Sequence, residues 1–327
     1  MMQKINWGII GCGDVTEVKS GPAFNKVADS ALVAVMRRDS AKAADYARRH
    51  AVPAWYDDAA KLIRDPRVDA VYVATPPDTH ELYTLAAMAA GKPVYVEKPM
   101  TLDSSSARRL VEESASSGVK LVVAHYRRAQ PMFNKIKHLL DEGSIGKVTK
   151  VNMKYASSLP SAQELLVPKM AWRLDPATSG GGLFHDLAPH QLGLMLFFFG
   201  AAKSASGTAC NKGGLYPADD TVTGSILFAD DILFSGAWDF AALKGEEVDE
   251  CVITGTDGEI SFAVFGHYHI QLRSGQDESV FHFEPLQHVQ QPMIAKVVQY
   301  FLGNAPNPCP PGEGYEVMKL IEAFTAR

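Results

Sequence analysis

Ile5-Asn6-Trp7-Gly8-Ile9-Ile10-Gly11-Cys12-Gly13-Asp14-Val15-Thr16 opens the chain with an apolar run that breaks into a glycine turn. A strand buried on both faces reads as a nearly continuous apolar run. Two glycines directly after it permit a tight turn and the close approach of a pyrophosphate to the backbone. Thr16 stands where a third small residue belongs, and a helix is expected to follow. A lone G-x-G often only punctuates a sheet, so the reading depends on what comes next.

What comes next repeats the design. Apolar runs recur at 32–36, 70–74, 94–96 and 121–124, with helical periodicity between them. Asp78-Thr79-His80-Glu81 has the D-x-x-E form of a capping box, and the helix it starts ends at Gly91. A second helix, 104–117, stops at Gly118. Strand and helix in regular succession predict an α/β, doubly wound parallel sheet over residues 1–124, with ligands outside the carboxyl ends of the strands. After Tyr126 the pattern changes. A helix at 131–142, an alternating stretch at 148–155 and a helix within 182–199 precede short strand candidates at 221–228, 232–238, 248–254, 259–265, 269–272 and 280–283. Turn signals separate these strands, which predicts an α+β domain over 125–327 on a large, mainly antiparallel sheet. Helices near 289–302 and 316–325 close the chain and are free to pack back on the first domain.

With 327 residues, 46% hydrophobic and 21% charged, the chain has room for two cores. A net charge of -5 gives no footprint for nucleic acid or an anionic membrane. Residues 1–6 leave no space for a signal peptide, and the apolar stretch 192–199 falls far short of the roughly 18 residues of a membrane span, so a cytoplasmic protein is expected. Cys12, Cys210, Cys251 and Cys309 lie far apart and are expected to be free and reduced.

Gly11, Cys12, Gly13, Asp14 and Val15 form the predicted pyrophosphate turn. An acidic residue after the second strand binds the ribose hydroxyls of NAD, whereas an arginine there accommodates a 2′-phosphate. Arg37-Arg38-Asp39 stands at that place, which reads as NADP, with NAD as the other nicotinamide cofactor, and leaves Asp39 to cap the next helix. Thr75-Pro76-Pro77 stiffens the loop where a cofactor lies, and His80 is counted with it. Glu97-Lys98-Pro99 ends a strand that the proline stops from continuing as a ladder. Gly180-Gly181-Gly182 leads to Asp186 and His190, which share one helix face at i,i+4, with Pro189 either kinking that helix or forming its first turn. A histidine suits removal of a hydroxyl proton, and a lysine ammonium suits stabilisation of an alkoxide. His185 and His190 are five apart and do not share a helix face, so no metal site is expected.

These motifs together resemble the Gfo/Idh/MocA family, named for glucose-fructose oxidoreductase, inositol dehydrogenase and a rhizopine-catabolism protein. The matching stretches are 8–15, 74–77, Glu97-Lys98-Pro99, Ala171-Trp172-Arg173 and 180–190, in the family's order across both halves. The resemblance implies that Lys98 and His190 are catalytic and that Asp186 binds substrate or orients the proton path. It implies that Trp172 and Arg173 lie near the cofactor and that Arg127 meets the substrate. It also implies a small-molecule substrate, a sugar or polyol, and a homodimer or homotetramer formed through the C-terminal sheet. That sheet would otherwise expose an apolar face. Gly193 replaces an aspartate that many members carry, and Arg37 replaces the aspartate of NAD-dependent members. Two other functions belong to the same fold: a non-catalytic NAD(P) sensor, which has no need of Lys98, Asp186 and His190 together, and a glycosidase that recycles bound NAD, against which Arg37 argues.

Overall fold

In the computed structural model, which describes residues 3–326, the opening run forms β1 (Ile5–Ile10). Five more parallel strands join it: β2 (Ser30–Met36), β3 (Ala54–Tyr56), β4 (Ala70–Val73), β5 (Val94–Val96) and β6 (Leu121–Val123), in the order β3-β2-β1-β4-β5-β6. Every residue of β4, β5 and β6 is buried, as continuous apolar runs require. On one face of the sheet, Trp7 packs on Phe24 and Phe301 with centroids at 4.8 and 5.5 Å, and Tyr72 stacks on Tyr95 at 5.1 Å. Each such side chain contributes about 1.5–3 kcal/mol by leaving water. The strand order reverses between β1 and β4, which places a crevice beyond their carboxyl ends.

This unit comprises Met1–Gln130 together with Leu286–Tyr315, so the helix Gln291–Leu302 belongs to it and brings Phe301 to Trp7. Asp39 and Asp103 cap the helices Ser40–Arg49 and Ser104–Ser117 by accepting from the N–H groups of Lys42 and Ser106 at 3.1 and 2.7 Å. The capping box expected at 78–81 does not form. Pro77–Thr79 is a 3-10 turn, the helix runs His80–Ala89, and the Glu81 carboxylate takes the Arg109 guanidinium at 2.5 and 3.0 Å instead of reaching back.

The second unit, Pro131–Pro285 with Glu316–Arg327, carries an eight-stranded sheet. Its strands are β7 (Val148–Ser158), β8 (Ala202–Cys210), β9 (Thr221–Phe228), β10 (Leu233–Ala242), β11 (Val248–Gly255), β12 (Gly258–Phe262), β13 (His269–Ser274) and β14 (Asp277–His282). They run in the order β14-β13-β12-β11-β7-β10-β9-β8, antiparallel except where β10 pairs with β7. The helix Gly182–Phe199 packs on one face, with Phe184 at 5.1 Å from Trp238 and the Trp238 indole N–H donating to Gln191 Oε1 at 2.6 Å. On that face Gly207, Gly224 and Gly236 lie in one cross-strand row. A Cβ at Gly224 would stand 2.4 Å from the Phe324 ring and one at Gly236 2.4 Å from the Trp238 ring, so the row is a floor for two aromatic side chains.

The other face differs from the expected apolar surface. Its central row across the sheet is Ser206, Ser225, Ser235, Asn152, Val252, Ser261, Gln271 and Val280, mostly polar. Period-two alternation puts polar residues outward along most of this face, with Leu233 and Val280 exposed among them.

Candidate active site

In the first unit the glycine turn and the β4 loop lie side by side. Gly11 has φ +94°, and a Cβ there would stand 2.7 Å from Thr75 Cγ2 and 2.8 Å from the Ala74 carbonyl carbon. Only a glycine both adopts that conformation and clears that loop. A Cβ on Gly13 would meet only Gly11 O, at 3.9 Å, so the space before Gly13 is open. Gly13 begins the short helix Asp14–Val18, whose first N–H groups lack intrahelical acceptors. Thr16 takes the third small position with its hydroxyl donating to Gly13 O at 2.8 Å. The glycine cradle with first-turn N–H groups behind it fits a dinucleotide pyrophosphate. Arg37 is half-buried and donates to Cys12 O at 3.3 Å, which holds its guanidinium beside the turn, while Arg38 is exposed. Burial pushes the Cys12 thiol up to about 11, partly offset by Arg37, so this cysteine behaves as an inert packing residue.

Lys98 is half-buried directly beyond β5, on the same edge of the sheet as the carboxyl ends of β1 and β4. Behind it Glu97 is 5% exposed and anchored on all sides. Tyr72 Oη donates to Glu97 Oε1 at 2.5 Å, Gln290 Nε2 donates to the same oxygen at 2.5 Å, and the Lys98 N–H donates to Oε2 at 3.1 Å. Tyr95 Oη donates to Gln290 Oε1 at 3.0 Å and completes the network. His80 lies wholly beneath the surface between the two loops, with Nδ1 2.9 Å from Pro99 O and Nε2 2.7 Å from Thr75 O, and in its neutral form donates to one of these carbonyls while packing against the other. Burial holds its pKa below the ordinary histidine value, outweighing the two carbonyls. Arg127 is half-buried in the turn Tyr126–Ala129, its guanidinium 5.8 Å from the Tyr126 ring centroid.

In the second unit Asp186 and His190 lie on one helix, Gly182–Phe199, with Pro189 inside it. Asp186 Oδ2 accepts from Arg173 Nε at 2.9 Å, and the Arg173 guanidinium also lies 4.5 Å from the Trp172 ring centroid. Three residues singled out by motif therefore form one charged and aromatic cluster. His190 is 6% exposed and meets the Phe265 ring edge-on at 5.7 Å. The glycine run has a steric reason: a Cβ on Gly181 would stand 2.2 Å from the His185 ring, and one on Gly182 would stand 2.4 Å from Ala218 Cβ. His185 is a buried residue under the glycines, its pKa pushed down by burial to about 4.

Residues 5–125 match the family described as "Oxidoreductase family, NAD-binding Rossmann fold", and residues 133–261 match "GFO/IDH/MocA C-terminal domain". The chain belongs to the Gfo/Idh/MocA oxidoreductases. Oxidoreductase P35 of Formosa agariphila is 45% identical to it over 324 residues, 99% of each chain. A trans-1,2-dihydrobenzene-1,2-diol dehydrogenase of Oryctolagus cuniculus is 27% identical over 254 residues, 78% of this chain and 72% of that one. Among solved structures, levoglucosan dehydrogenase in complex with NADH superposes with a TM-score of 0.88 at 20% identity, covering 98% of this chain and 96% of that one, a likeness of fold.

Several of the residues that hold these motifs in the two units escape the sequence reading. Tyr72 and Gln290 reach Glu97 from 25 and 193 positions away, and no local pattern marks such a partner. Asp249 had a signal: it shares strand parity with the buried Cys251 and Ile253, so a carboxylate there faces inward and must find donors. Among the described residues no helix is long and apolar enough to cross a membrane, and all four cysteines are free.

Proposed function

We propose that this oxidoreductase is NADP-dependent and acts on the carbinol or carbonyl carbon of a sugar, polyol or related small hydroxy compound in the cytoplasm. The observation that carries the reading is Lys98 at the carboxyl edge of the parallel sheet, its backbone held by a buried and fully engaged Glu97. Gly11 to Val15, Thr75 to Pro77, Arg37, Arg38, Trp172 and Arg173 would hold the dinucleotide, with His80 and Glu97 supporting the loops from behind. The bound nicotinamide supplies or accepts the hydride. His190 takes the hydroxyl proton in oxidation and returns it in reduction, Lys98 stabilises the alkoxide oxygen, and Asp186 and Arg127 orient the substrate. These roles follow the family motifs that each residue occupies.

The NADP preference is supported by Arg37, fastened beside the glycine turn, and by Asp39, whose carboxylate is turned to cap a helix. A hydrogen bond to a charged group contributes about 1.5–3 kcal/mol, roughly 10- to 150-fold in affinity. Calorimetric titration should show NADP favoured over NAD by that order and the preference lost in Arg37→Asp; equal affinities in the unaltered protein would refute the assignment. Lys98→Met and His190→Ala should each lower kcat by about 10²- to 10⁴-fold with NADP affinity retained. The chain is further proposed to form a homodimer or homotetramer through the polar face of the eight-stranded sheet, a reading that a monomer in sedimentation equilibrium would exclude.

A further inference from the structure

The turn that follows β12 is fastened by a carboxylate on the neighbouring strand, β11. Antiparallel register sets Asp249 of β11 opposite Tyr155 of β7, and Trp238 of β10 flanks Tyr155 on the other side, so these side chains share the helix-covered face. Asp249 Oδ1 accepts from the Val264 N–H at 3.1 Å, and Oδ2 accepts from the N–H groups of Phe265 and Gly266 at 2.5 and 2.7 Å. Three charge-assisted bonds to one carboxylate fix the backbone of the turn. The ring they place is Phe265. Its centroid lies 5.7 Å from the His190 ring and 5.5 Å from the Tyr155 ring, edge-on to both at 75° and 74°. Phe240 backs Tyr155 at 5.7 Å. Phe265 and Tyr155 are each half-buried, so this pair of rings next to His190 is not sealed in the core.

An aromatic wall of this kind favours a ligand with C–H bonds on one face and hydroxyls around its rim. An open chain presents no such face and must also lose torsional freedom to lie flat. We propose that Phe265, set in place by Asp249, is a specificity-determining residue that selects cyclic carbinols, pyranose-like or alicyclic, over open-chain polyols and their acids. The proposal rests on the reading of His190 as the residue that handles the substrate proton.

The test compares NADP reduction with levoglucosan and trans-cyclohexane-1,2-diol against erythritol and D-gluconate, with saturation-transfer NMR of the same four compounds as a binding readout. The unaltered protein should prefer the cyclic pair. Phe265→Leu should reduce kcat/KM for the cyclic pair by roughly 2- to 12-fold relative to erythritol, the range of an aromatic contact. Phe265→Tyr, which keeps the ring, should retain the preference. Asp249→Asn should reproduce the Phe265→Leu effect, and the double variant should be no worse than either single one, because both remove the same placed ring. If Asp249→Asn fails to fold, the two Phe265 variants carry the test alone. A protein that neither binds nor turns over either cyclic probe, a Phe265→Leu ratio unchanged from that of the unaltered protein, or additive losses in the double variant would overturn the proposal. His190→Ala run alongside separates the two readings. Full turnover in that variant removes the role of His190, whereas its loss together with an unchanged Phe265→Leu ratio removes only the selectivity assignment.

Discussion

Glu97→Gln perturbs the residue that sets Lys98, and the structure bounds the effect. The carboxylate receives three donors, two at Oε1 and one at Oε2, from Tyr72, Gln290 and the Lys98 backbone. An amide at this position has one acceptor oxygen and one donor nitrogen. If its oxygen faces Tyr72 and Gln290, its NH₂ opposes the Lys98 N–H; if it is reversed, the NH₂ meets the Gln290 amide, which is itself oriented by Tyr95. The better orientation therefore loses one charge-assisted bond, worth about 1.5–3 kcal/mol, and weakens two others. Relief of carboxylate desolvation offsets part of this, leaving a net loss of about 2–3 kcal/mol. In a unit of this size that corresponds to a fall in Tm of roughly 4–12 °C. Because the lost bond belongs to Lys98, kcat should fall while calorimetric NADP affinity holds. Thermal unfolding followed with bound NADP, and steady-state kinetics on the same preparation, read both quantities. A Tm within a degree of the unaltered protein together with unchanged kcat would show that the network neither stabilises the loop nor places the lysine.

Gly224→Ala inserts a Cβ 2.4 Å from the Phe324 ring and should destabilise the protein by about 1–3 kcal/mol in urea, and Phe324→Leu in the same background should recover part of that loss. Burial lowers the folded-state pKa of His185 from 6.5 to about 4. The unfolded chain therefore takes up the proton first: stability is full above about pH 6.5 and falls by roughly 3 kcal/mol as the pH drops toward 4. A His185→Gln variant should lose that part of the pH slope, and an unaltered slope would assign it to other groups. Asp186→Asn removes the charge that pairs with Arg173 at 2.9 Å and should raise KM for substrate. If Asp186 also couples to His190, the same change should shift the pH-rate profile.

The strands legible in the sequence are those whose residues are chemically unlike their surroundings. β1, β2, β4, β5 and β6 are apolar runs between helices, and the glycine turn follows the first of them. β3 is three residues long with Trp55 exposed, and β8 reads Ala-Lys-Ser-Ala-Ser-Gly-Thr-Ala-Cys, with one β-branched residue. β3 is too short to show a period, β8 carries little local preference for the strand state, and both form because a neighbour offers a ladder. The same division runs through the site. Lys98, Asp186 and His190 stand in motifs of fixed local spacing. Tyr72 meets Glu97 through sheet order, Gln290 from a helix cap 193 positions on, and Asp249 meets the turn at Phe265 across neighbouring strands, contacts that no local spacing encodes.

The stretch from Asp78 to Glu81 shows how a correct local pattern is overruled. A capping box needs the glutamate to turn back on its own helix end, which gains one hydrogen bond at the helix terminus. Here Glu81 is reached by an arginine 28 residues on, which makes two charge-assisted bonds, stronger than the single backbone contact it replaces. His80, next to it, is drawn into the interior by carbonyl oxygens at Thr75 and Pro99. The residue that a local reading assigns to the mouth of a helix thus becomes the filler between two loops at the carboxyl edge of the sheet. It holds the β4 loop and the Lys98-Pro99 segment at a common depth, and the lysine follows from that depth.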